Sequence, residues 1–238
     1  RKEELFKSIF HECIHFHNLD FRNISSTLFN NIINYLINTH NINSNNTYLL
    51  YECVTETLAN ILNIIYYSGD IKSMTTHLEN EIIFSTLQVS KILHICKYNK
   101  WEEFSFNNII NNNKSFNNKK TNKQFKQDSC VYSYYILKLY ILLNLTTYFN
   151  TIIDNKLKFI QTEETFNNLI KLFDLSRTNL LLKKIINSIL KGLYLENENE
   201  NIIIKKYRSK THLKKNIKKN INKKTLRMTC LESNIFTK

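Results

Sequence analysis

The chemistry of the chain is concentrated in five consecutive residues, His11-Glu12-Cys13-Ile14-His15. Leu5, Phe6, Ile9, Phe10, Cys13 and Ile14 recur at helical spacing, which predicts a helix over 2–16 with both histidines one turn apart on one face. Two imidazoles so placed can grip one metal ion. Glu12, about a hundred degrees round the helix from His11, would stand beside an open coordination position, where a carboxylate can take a proton from water activated by the ion. That is the chemistry of a zinc hydrolase. The plainer alternative is two surface histidines on an ordinary helix.

A second stretch also carries chemistry, Tyr51-Glu52-Cys53-Val54-Thr55-Glu56-Thr57-Leu58-Ala59-Asn60. It opens a predicted helix over 48–67 that continues through Ile61, Leu62, Ile64 and Ile65 and ends near Gly69. Two carboxylates in so apolar a helix are costly to bury unless they are paired, hydrogen-bonded or bound to a metal.

The elements that must position these residues are helical. Among 238 residues there is no proline and only two glycines, so the usual punctuation of hairpins and tight turns is scarce. Beyond the two helices above, apolar periodicity predicts helices over 26–38, 75–97, 162–173 and 177–195, with a turn or short element at Trp101. The loop 39–47 is rich in Asn and Ser. Between Cys130 and Ile153 the only charged residue is Lys138, a pattern suited to a central core helix. Lys138 near its middle, together with Ser133, Asn144, Thr146 and Thr147, argues against a membrane span. The expectation is a mainly α domain over 1–204 with its metal site between two helices.

Two segments stand apart in composition. Residues 107–128 alternate Asn, Lys and Phe without a period and read as a mobile insertion, suited to act as a lid. Residues 205–238 read as a basic tail, in which Lys205 to Arg227 hold eleven basic residues and no acid. Formal net charge is +13, so the remainder of the chain carries only +2. Five scattered cysteines, with no C-x-x-C pair, fit a reducing, intracellular and cytoplasmic setting, and no secretory signal opens the chain. No P-loop, G-x-G-x-x-G or G-x-S-x-G is present, which leaves nucleotide hydrolysis and serine chemistry without support.

Together, the two motif stretches resemble the gluzincins, zinc metallopeptidases in which H-E-x-x-H supplies two ligands and a downstream helix a glutamate. In that group, Asp or another hydrogen-bonding residue often follows the third ligand by four positions and orients a ligand histidine. The resemblance implies zinc held by His11, His15 and Glu56, with Glu12 as base and Asn60 behind the ligands, and Glu52 as the reserve third ligand. It also implies an oxyanion donor from a later helix, for which Tyr134 and Tyr135 are the candidates. It covers 1–67, with a longer gap between His15 and Glu56 than in the thermolysin type and no metzincin extension after His15. Thr55 to Asn60 and Ser133 to Lys138 are most similar to uncharacterised H-E-x-x-H proteins of large DNA viruses with A+T-rich genomes, which would place the chain in host cytoplasm or virion.

The function expected is hydrolysis of a peptide or protein substrate. Two other readings stand beside it: binding of nucleic acid or an anionic surface through the basic tail, and a metallopeptidase fold kept as a non-catalytic binding module.

Overall fold

The computed structural model describes residues 5–43, 46, 48–105, 125, 130–154, 156 and 158–195. The expected insertion at 107–128, Phe125 apart, and the basic tail lie outside these residues. The described chain is mainly helical, with isolated bridges (His40 with Ser105, Ile42 with Phe125, Ile153 with Phe159) in place of strands. The α-helices are α1 (Leu5–Phe16), α2 (Ser26–Thr39), α3 (Tyr51–Tyr67), α4 (Ile71–Ile95), α5 (Trp101–Phe104), α6 (Lys138–Leu142), α7 (Leu145–Ile152), α8 (Glu163–Thr178) and α9 (Leu180–Leu195). A π-helical turn, Tyr132–Leu137, leads directly into α6.

Local chemistry explains several helix starts. Side chains of Ser25, Asp70 and Thr162 accept hydrogen bonds from the backbone N–H of Leu28, Ser73 and Thr165, satisfying otherwise orphaned donors at the first turns of α2, α4 and α8. With Asp70 as its cap, α4 thus begins at Ile71, four residues before the point where apolar periodicity becomes visible at Thr75. Leu28, Ile32 and Leu36 repeat every four residues and form the buried stripe of α2.

The centre of the molecule is α3, which packs against α1, α4, the π-helical turn and α6. Cys53, Val54, Leu58 and Ala59 are buried in it alongside Glu52, Glu56 and Asn60. Around it, α4 packs on α9, and α8 covers α6, α7 and α2. Trp101, Phe104, Tyr132, Tyr140 and Phe173 fill the core with tilted and edge-on ring contacts.

Where one core helix was expected from Cys130 to Ile153, the structure has three segments. The break falls at Asn144, whose side-chain amide donates to the carbonyl of Tyr140 at 3.0 Å and to Ser176 Oγ at 2.5 Å. A polar side chain that bonds back to its own helix and across to α8 competes with continuation of the helix. None of the described helices is long and apolar enough to cross a membrane.

Candidate metal centre

The site lies where the inner face of α1 meets the first turns of α3. His11 and His15 project from adjacent turns of α1, as their spacing requires, and Nε2 of one stands 3.1 Å from Nε2 of the other. Opposite them, Glu52 places Oε2 at 3.5 Å from His11 Nε2 and Oε1 at 3.6 Å from His15 Nε2. One ligand atom from each of these three residues falls within 4.8 Å of the other two. Tetrahedral bonds of 2.0–2.2 Å put neighbouring ligand atoms about 3.3–3.6 Å apart. The distances to Glu52 run to its two different oxygens, so the trio converges on one point without matching the edges of a zinc tetrahedron.

Two further carboxylates set the proton positions on the histidines. Asp20 Oδ2 is 2.5 Å from His15 Nδ1, and Glu56 Oε2 is 3.4 Å from His11 Nδ1. A carboxylate only accepts, so both Nδ1 atoms are donors, and in the neutral rings both Nε2 lone pairs turn towards Glu52. Three electron-rich groups thus converge. A proton on one Nε2 would satisfy the 3.1 Å contact but would leave Glu52 Oε2, which accepts no hydrogen bond, without a donor. Together the three groups are a donor set that could hold one divalent cation.

Charge bookkeeping isolates Glu52 further. The described buried acids are Asp20, Glu52, Glu56 and Glu81. Arg22 pairs with Asp20 at 2.9 Å, Lys7 pairs with Glu56, and Lys138 pairs with Glu81 at 3.2 Å. Among the described residues, the ion-pair partners of Glu52 are only the two imidazoles. For Glu56, burial pushes the carboxyl pKa up, but Lys7, the His11 hydrogen bond and Lys138 outweigh it and hold the group ionised, below the usual range.

Sequence and structure differ here in one register. Of the two glutamates one turn apart, the reserve candidate Glu52 joins the histidines, whereas Glu56 lies behind the ring of His11. Asn60, expected behind the ligands, is a further turn along α3, where its amide donates to Glu81 Oε1 at 3.3 Å, away from either histidine.

Asp20 lies in the turn that follows α1. It is fully buried beneath His15 because the chain reverses sharply there, with Asn18 at φ 53° and Phe21 at φ 62°. A phenylalanine in the left-handed region is strained. The buried Phe21 ring stacks on Phe166 at a centroid distance of 5.4 Å, which holds the turn closed. Backbone amide and Nε of Arg22 also donate to Asp20.

Of the two candidate tyrosines, the π-helical turn sends Tyr134 to the site and Tyr135 into the core. The Tyr134 ring is 6.4 Å from the His11 ring, and its hydroxyl lies near Glu52. Burial and the Glu52 charge raise its pKa, so Tyr134 is a neutral donor at pH 7. Glu12 is exposed on the outer side of α1, where it lines a shallow depression with Leu5, Ser8, Ile9, Cys13 and Phe16.

Comparison with known proteins finds no match for this chain among family models, curated proteins or solved structures.

Proposed function

We propose that the chain is a zinc-dependent peptidase whose metal ligands are His11, His15 and Glu52. The observation that carries this reading is the convergence of His11, His15 and the buried Glu52, whose only ion-pair partners among the described residues are those two imidazoles. This reading moves the E-x-x-x-D pattern of the gluzincin resemblance one turn towards the N-terminus. Glu52 takes the ligand position and Glu56, four residues on, takes the place of the residue that orients a ligand histidine.

Zinc in such a site supplies Lewis acidity, which makes water a nucleophile near neutral pH. The chain's own residues do the rest. Asp20 and Glu56 fix both imidazoles in the tautomer that presents Nε2. The resemblance makes Glu12 the group that accepts the proton of the attacking water and returns it to the leaving amine, a role that requires its carboxylate, exposed on the outer side of α1, to come within hydrogen-bond reach of that water. Tyr134, neutral and beside Glu52, donates a hydrogen bond to the oxygen on which negative charge develops.

The test is hydrolysis of a fluorogenic peptide library by the zinc-loaded protein and by Glu12→Gln. The variant is expected to keep its zinc and to lose at least about a hundredfold in kcat, the lower range for a positioned general base. Equal turnover by both proteins would remove Glu12 from the reaction.

A further inference from the structure

Lys7 stands one turn before His11 on the inner face of α1 and is only 6 % exposed. Fixing a lysine in such a place costs side-chain entropy and desolvation, and its neighbours on that face, Phe10 and Ile14, are apolar. The ammonium reaches Glu56 Oε1 while His11 Nδ1 faces Glu56 Oε2. Each oxygen of Glu56 therefore has its own partner, and the carboxylate is held on the Nδ1 side of the ring, away from the converging Nε2 atoms. Yet Glu52 and Glu56 lie one turn apart on α3, so either could reach an ion held by the two histidines.

We infer that Lys7 selects the ligand. Its ion pair pins Glu56 against His11, so that Glu52 alone completes the set and a fourth coordination position stays open. This rests on the metal reading above. With Lys7 removed, the other nearby cation, Lys138, is committed to Glu81 at 3.2 Å. The strongest cation left to the buried Glu56 is then the metal. A second carboxylate on the ion would tighten binding and fill the position that water needs.

Cobalt(II) titration of the metal-free full-length chain tests this, comparing wild type, Lys7→Met, Glu56→Gln and the double variant. The wild type should bind one cobalt with the intense visible absorption of a four-coordinate ion. Lys7→Met should show the weaker absorption of a higher coordination number and bind roughly tenfold tighter, a typical worth for a group behind the ligands. In the Glu56→Gln background, removing Lys7 should change neither spectrum nor affinity. A Lys7→Met protein with wild-type spectrum and affinity overturns the inference, as does a Lys7 effect that persists in Glu56→Gln. Should the metal-free Lys7→Met chain be unfolded, cobalt must restore its helical circular dichroism; failure to do so also overturns it. A wild type that takes up no cobalt removes the metal reading itself, which is a different failure.

Discussion

At the scale of single residues, the site is built on hydrogen-bond direction. Two carboxylates claim the Nδ1 protons of His11 and His15, which aims both Nε2 lone pairs at Glu52. Asp20 is therefore as consequential as a ligand. Asp20→Asn lets the amide present its NH2 as readily as its oxygen to the ring, so the tautomer is no longer fixed. Zinc affinity should fall about 10–100-fold, with the fold intact by circular dichroism; a dissociation constant unchanged in a competition titration would show that Asp20 is merely structural. The sequence made His11, Glu12 and His15 conspicuous because H-E-x-x-H is a contiguous pattern. Asp20 had no comparable signal, since its relation to His15 depends on two left-handed residues, Asn18 and Phe21, that no apolar periodicity announces.

At the scale of elements, α3 presents both candidate carboxylates and the π-helical turn presents Tyr134. Residues 52 and 56 share one face of α3, so helical spacing identifies the face without saying which turn of it meets α1. That is a matter of how two helices pack, and in the structure Lys7 and His11 engage Glu56. The same limit applies to Tyr134 and Tyr135. Period-based reading predicts an α-helix there, whereas a π turn shifts the facing of every side chain after it and sends only Tyr134 to Glu52. Tyr134→Phe should lower kcat about a hundredfold, the loss seen when an oxyanion donor is removed, while KM and zinc content stay constant. A fall in zinc content instead would assign Tyr134 to holding Glu52 rather than to the reaction. Helix identity was otherwise well marked, because buried stripes such as Leu28, Ile32 and Leu36 declare themselves. Helix ends were less so: the side-chain cap at Asp70 starts α4 in a stretch whose apolar pattern is still silent.

At the scale of the whole molecule, the buried polar groups make stability depend on pH. His40 is fully buried, accepts or donates at Tyr140 Oη over 2.8 Å, and has its pKa pulled down to about 3, by burial first and then by the Arg177 charge. Arg177 is itself tied to Asp174, whose carboxylate also accepts from Tyr35 at 2.8 Å. In the unfolded chain a histidine takes its proton near pH 6.5, whereas in the folded protein His40 stays neutral to about pH 3. The unfolded state thus binds more protons between those values, and stability falls as pH is lowered through that window. From pH 7 to pH 4 the loss from this one group is about 3 kcal/mol. Urea denaturation of the metal-free protein should show a shallower decline for His40→Gln than for wild type over that range; parallel declines would place the acid sensitivity elsewhere. The depressed Glu56 acts lower, since its contribution is complete above the ordinary carboxylate range and is lost as pH falls through its folded value.

The proposed centre holds one ion on His11, His15 and Glu52, with Glu56 outside its coordination shell. Zinc stoichiometry by elemental analysis, after dialysis of wild type, Glu52→Gln and Glu56→Gln against equal free zinc, tests it most directly. The account predicts about one zinc per chain in the wild type, zinc retained with weakened affinity in Glu56→Gln, and zinc lost in Glu52→Gln. A wild type without zinc, or a Glu52→Gln protein that holds it as firmly as the wild type, would contradict the account.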